Sequence, residues 1–238
     1  MTGLIKSAII LSAGFGKRML PLTQIKPKPM IKVGNKALID WVLDDLKKAG
    51  VSNVTINVHY KASMIIKYLR ERKDPKVIFS DETEKLLDTG GGVKAALKLI
   101  KDNLFIVTNS DGIWKKGLVP IINNLNLFWK NNKVDVVICL VKKENTYGYN
   151  GKGDFFLNKN AELIRPKKNE TAPYVYSGIQ IVHKRIFQDE KSESFSFNKL
   201  WDKAIESKKI KAIVHDDIWF HVGEPDMINF TSENLPQR

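Results

Sequence analysis

Cysteine is all but absent. Cys139 is the only one in 238 residues, so no disulfide can form within the chain, and its place in an apolar stretch marks it as a small core residue. A reducing, cytoplasmic setting suits such a sequence. Long apolar runs are missing as well: the longest, residues 134–141, is broken by Asp135 and falls far short of the roughly 20 residues that cross a bilayer. No membrane partner is expected. The apolar run at residues 8–11 comes too early to leave room for a basic region, a hydrophobic stretch and a cleavage site, so no signal peptide is expected. There is no internal repeat, no low-complexity tract and no linker rich in Pro, Ser and Gly. Zinc-ligand spacing, a recognition-helix motif and an aromatic RNA-binding signature are also lacking, which removes the usual supports for a nucleic-acid partner.

Acidic residues are in the minority, and the formal charge is +13. That excess draws anions, whether nucleotides, sugar phosphates, nucleic acid or lipid, and does not choose among them. With 43% apolar and 27% charged residues the composition is that of a globular protein. Apolar runs at residues 6–11, 53–58, 76–79, 104–108 and 134–141 read as strands. Between them lie helical patterns, including Leu38, Trp41, Val42 and Leu46, and later Val93, Ala96, Leu97 and Ile100. Strand and helix in alternation predict an α/β fold, a Rossmann-like, mainly parallel twisted sheet flanked by helices, with ligands at the carboxyl ends of the strands. A further strand is expected at 175–182 and a helix at 199–206. One domain spans 1–238, with a nucleotide-binding lobe at 1–145 and a lobe facing the second substrate at 146–238. Nothing in the sequence sets an oligomeric state.

The first strand ends in Leu11-Ser12-Ala13-Gly14-Phe15-Gly16-Lys17-Arg18-Met19. Gly14 and Gly16 permit a tight turn whose amides meet phosphate oxygens, and Lys17 and Arg18 supply countercharge. It is neither a dinucleotide fingerprint nor a Walker loop. Farther on, Lys28 stands between Pro27 and Pro29, which predicts an extended backbone and a fixed direction for its ammonium group. Leu11, Ala13, Gly14, Gly16, Arg18, Met19, Pro21, Leu22, Thr23, Pro27, Lys28, Pro29 and Met30 together resemble the signature of sugar-1-phosphate nucleotidylyltransferases.

That resemblance implies the fold of nucleotide-diphospho-sugar transferases, GT-A-like, and two partners, a nucleoside triphosphate and a sugar 1-phosphate. Arg18 and Lys28 would then be the catalytic cations. Leu11, Ala13, Gly14, Gly16, Lys17 and Asn109 would join them around the nucleotide. It also assigns Asp88-Thr89-Gly90-Gly91-Gly92 to the base, with Gly90 and Gly91 offering a surface free of side chains. Asp111, at the end of the strand 104–108, would hold Mg2+, which favours oxygen ligands. The second metal carboxylate of the family falls at His221, in Trp219-Phe220-His221-Val222-Gly223-Glu224-Pro225. Histidine in place of aspartate is a departure, and a nitrogen ligand suits Mn2+ better than Mg2+.

On the sugar side, Gly148, Asn150, Gly153 and Asp154 combine with Ser177 as the candidates. The Gly-Asp-Phe and Tyr-Ser-Gly-Ile pieces resemble the branch of N-acetylmuramate 1-phosphate uridylyltransferases, implying UTP and N-acetylmuramate 1-phosphate as substrates. Arg165 replaces the acidic residue usual in several relatives, and it or Lys167 would face a lactyl carboxylate. Guanylyl transfer to mannose 1-phosphate, thymidylyl transfer to glucose 1-phosphate, CMP transfer to a phosphorylated alcohol and a non-catalytic nucleotide sensor all stay open.

Overall fold

The computed structural model describes residues 5–236. Seven strands form the central sheet: β1 (Ser7–Leu11), β2 (Asn53–Val58), β3 (Lys76–Asp81), β4 (Leu104–Asn109), β5 (Val136–Lys142), β6 (Tyr174–His183) and β7 (Ile210–Val214). Their order is β7-β5-β6-β4-β1-β2-β3. β1 pairs in parallel with β2 and β4, β2 with β3, and β5 with β7. Only β6 runs antiparallel, wedged between β4 and β5. The mainly parallel sheet predicted from the alternating pattern is therefore present.

Parallel strands need covering on both faces, which is why they read as unbroken apolar runs. In β1, Ala8 and Ile10 face one core cluster and Ile9 the other. Helices α1 (Leu38–Lys48), α2 (Ala62–Leu69) and α4 (Val119–Lys130) supply the first cluster. Helices α3 (Asp88–Ala96) and α5 (Asn198–Glu206) supply the second. Cys139 is buried in the core as expected, and burial pushes its thiol up to about 12. Among the described residues no helix is long and apolar enough to cross a membrane.

The chain reverses direction across β1. Successive strands β1, β2 and β3 step one way, and β4 begins on the other side. Ligands in doubly wound sheets gather at the carboxyl ends of strands flanking such a reversal. Here the register sets Leu11 opposite Asn109. The boundary near residue 145 is no seam in the sheet, because β6 and β7 of the later segment complete it. A small sheet above this end joins Gly112–Trp114, Thr146–Tyr147 and Trp219–His221. A third apolar cluster lies under it, in which Met19, Ile31, Val33, Trp41, Ile113 and Phe220 pack.

Candidate active site

Two strand ends build the first cavity. The loop after β1 contributes Leu11, Ser12, Gly14, Gly16, Lys17 and Arg18, and the loop after β4 contributes Asn109, Ser110 and Asp111. Lys28, Pro29 and Gly223 complete a space of about 290 Å³. Gly16 turns the loop with φ 65°, and a Cβ there would lie 2.9 Å from Thr23 Cγ2, so glycine is required. Thr23 Oγ1 donates to the Gly16 carbonyl at 3.1 Å, and Met19, fully buried, plugs the loop into the third cluster. Ala13 is buried beneath the turn and does not reach the cavity.

Lys17 and Arg18 are exposed, and among the described residues neither forms an ion pair. Lys28 is different. Its Nζ lies 2.6 Å from Asp111 Oδ2, with both side chains mostly shielded. The predicted extended backbone falls on Pro27 (ψ 148°), while Lys28 itself opens a short 3-10 turn, Lys28–Met30. Proline is acceptable there because its missing N–H needs no partner in a first turn. Antiparallel pairing of His221 with Gly112 brings the imidazole beside Asp111, Nε2 to Oδ2 3.5 Å. His221 stacks on Trp219 and its Nδ1 faces the Gly148 carbonyl at 3.3 Å. Burial acts to raise the Asp111 carboxyl, but Lys28 and His221 outweigh it and hold the group well below the usual carboxylate range. Ser12 Oγ is buried at the cavity and has no protein partner.

A second cavity of about 280 Å³ adjoins the first, sharing Leu11 and Asn109. Its lining includes Thr89, Asp154, Arg165, Tyr176, Gln180, Asn198 and Trp201. Tyr176 and Trp201 meet edge to face at 4.6 Å between centroids. Asp154 accepts the Tyr176 amide at 2.8 Å and the Tyr149 hydroxyl at 3.3 Å; burial lifts its carboxyl above the usual range in spite of these partners. The Arg165 guanidinium lies 4.5 Å over the Phe155 ring, held by Asp202 at 2.9 Å and Asn198 at 2.8 Å. Lys167 is exposed, its amide turned to Glu170.

Several of the sequence candidates line neither of these two cavities. Gly90 and Gly91 are buried, and both their amides donate to the Phe195 carbonyl, at 2.9 and 3.0 Å. They let the segment 190–197 lie against the start of α3, so the exposed groups at that corner are Asp88 and Thr89 instead. Asp88 carries φ 61°, a conformation Asp tolerates better than most residues. Ser177 turns inward, donating to the Cys139 carbonyl at 2.9 Å, and does not line the second cavity. Gly148 and Gly153 serve close backbone approach, to His221 O and Ala172 O, while Asn150 is exposed on its loop. Of the five sugar-side candidates, Asp154 alone is among the residues that line the second cavity. Trp201, whose Nε1–H donates to Gln180 Oε1 at 2.9 Å, and Gln180 itself are not among the sequence candidates. A lone amide inside an apolar strand was the available signal.

Packing at α3 yields a direct test. A Cβ on Gly91 would lie 2.2 Å from Glu193 O, so Gly91→Ala is expected to cost about 1–3 kcal/mol, measured by denaturant unfolding. Unchanged stability would refute the packing role.

The Nucleotidyl transferase family model matches residues 7–237. The chain is 34% identical to the N-acetylmuramate alpha-1-phosphate uridylyltransferase of Caulobacter vibrioides, covering 92% of this chain and 93% of that protein. It is 28% identical to the D-glycero-alpha-D-manno-heptose 1-phosphate guanylyltransferase of Campylobacter jejuni, over 92% and 95%. The inositol-1-phosphate CTP transferase from T. maritima shares the fold, with a TM-score of 0.81 at 16% identity over 98% and 96% of the two chains. So does HddC from Yersinia pseudotuberculosis complexed with GMP-PN, with a TM-score of 0.76 at 24% identity over 96% and 99%. On the family match across nearly its whole length, the chain belongs to the nucleotidyl transferase family, among the sugar-1-phosphate nucleotidyltransferases.

Proposed function

We propose that the enzyme transfers UMP from UTP to N-acetylmuramate 1-phosphate and releases pyrophosphate. The observation that carries the reading is the first cavity: two cations without an ion-pair partner, Lys17 and Arg18, face a half-buried Lys28–Asp111 pair where β1 and β4 end. A triphosphate in that space meets countercharge, loop amides and the partnerless Ser12 hydroxyl. The sugar 1-phosphate takes the adjoining cavity, where Tyr176 and Trp201 offer an apolar wall and Asp154 accepts hydrogen bonds. Similarity to the Caulobacter uridylyltransferase supports the choice of base and sugar.

An oxygen of the sugar phosphate attacks the α-phosphorus while pyrophosphate leaves in line, with no covalent enzyme intermediate. The protein's part is to hold two polyanions together and neutralise the charge that develops. Arg18 stabilises that charge, and Lys28 contacts the reacting phosphates. Among the described residues no group of three His, Cys, Asp or Glu side chains gathers at one point. Asp111 and His221, 3.5 Å apart, are the side chains that would hold a divalent cation, Mg2+ or Mn2+. Such an ion would supply further charge neutralisation.

Pyrophosphate release, measured for four NTPs against several sugar 1-phosphates with Mg2+ and with Mn2+, is expected to be fastest with UTP and N-acetylmuramate 1-phosphate. A faster reaction with another pair would reassign the substrates, and no release with any pair would overturn the activity. Arg18→Ala is expected to lower kcat about 100- to 1000-fold; turnover equal to wild type would remove it from the chemistry. For Arg165, the hypothesis is a contact with the lactyl carboxylate. Arg165→Ala should reduce the kcat/KM preference for N-acetylmuramate over N-acetylglucosamine 1-phosphate about 10- to 100-fold, as for losing a charged hydrogen bond. An unaltered preference eliminates the contact.

A further inference from the structure

One buried string of hydrogen bonds takes no part in the chemistry above. Asn57 lies next to the end of β2 and Glu82 follows β3, and each is 3% exposed. Asn57 Oδ1 accepts the Ser12 amide at 2.7 Å, and its Nδ2 donates to Glu82 Oε1 at 2.8 Å. Glu82 Oε2 in turn accepts the Leu87 amide at 3.1 Å. Ser12 lines the first cavity, and Leu87 immediately precedes Asp88 and Thr89. Helix α3 rests on the string itself: a Cβ on Gly92 would come 2.7 Å from both Asn57 Nδ2 and Glu82 Oε1.

Polarity dictates the residue types. Both ends of the string are backbone N–H donors. A carboxamide accepts through its oxygen and donates through its nitrogen, so the group beyond it must accept twice, as a carboxylate does. Glutamine at position 82 would have the same shape and leave two donors facing each other somewhere along the line. Buried donors left unsatisfied are costly, so the loops at the two ends would separate or shift.

We infer that Asn57 and Glu82 are positioning residues, fixing the phosphate loop against the segment that opens α3 so that the triphosphate is gripped in one geometry. The inference rests on the reading of the first cavity as a nucleotide site. It predicts that Glu82→Gln weakens binding of α,β-methylene UTP about tenfold by calorimetry and raises KM for the triphosphate. In the double variant Asn57→Asp/Glu82→Gln the carboxylate moves to the middle of the string, accepts from Ser12 and from the new amide, and leaves that amide's oxygen for Leu87. Binding should return to within about threefold of wild type. A packing role alone predicts no effect of the near-isosteric Glu82→Gln, and that result would overturn the inference. So would a double variant that binds no better than Glu82→Gln. If Glu82→Gln does not fold, the double variant decides: recovered folding and binding support the relay, and binding tenfold weaker than wild type refutes it. A folded wild type that binds none of the four α,β-methylene NTPs would instead refute the nucleotide reading and take the relay with it.

Discussion

Parallel pairing of β1 with β4 is the constraint on which the site depends. The pairing sets Leu11 beside Asn109, so two loops with opposite charge preferences leave the sheet within one cavity's width. The loop after β1 is rich in glycine and cation; the loop after β4 ends in Asp111. Neither is a site alone. Glycine permits the tight turn at Gly16, and buried Met19 then fixes where Lys17 and Arg18 emerge. On the other side, the Asp111 carbonyl accepts the Val222 amide at 2.9 Å, which ties the strand end to the small sheet and sets His221 against the carboxylate.

Electrostatics explains why the cations are treated differently. Lys28 is shielded and has Asp111 as its partner, because an ammonium group withdrawn from water needs a counterion. Lys17 and Arg18 stay in water, where a charge without a partner costs little and attracts a polyanion from a distance. The chain's large positive charge therefore matters through two residues at a strand end, and most of its other lysines lie outside both cavities.

Much of this was legible in the sequence. Apolar runs located six of the seven strands of the central sheet, all but β7, since burial on both faces leaves no room for alternation, and the ordered motif from Leu11 to Met30 carried the family resemblance. Individual side chains outside that motif were less legible. Ser177 reads as a hydroxyl available to a ligand, and only the pairing of β5 with β6 turns it onto the Cys139 carbonyl. Gly90 and Gly91 read as an open surface, and only the return of the distant segment 190–197 covers them. Arg165 and Trp201 are 36 positions apart and share a cavity because α5 crosses the second face of the sheet. Contacts of such long range leave no periodic or local trace.

The proposed chemistry requires a triphosphate lying in the first cavity with its charge shared between Arg18, Lys28 and an ion at Asp111. A crystal structure with a non-hydrolysable NTP and Mn2+, with anomalous scattering used to find the metal, tests this most directly. The expected result is a single anomalous peak beside Asp111 and His221, with phosphate oxygens contacting Arg18 and the loop between Leu11 and Gly16. A triphosphate bound away from the ends of β1 and β4, or a metal peak remote from Asp111, would contradict it.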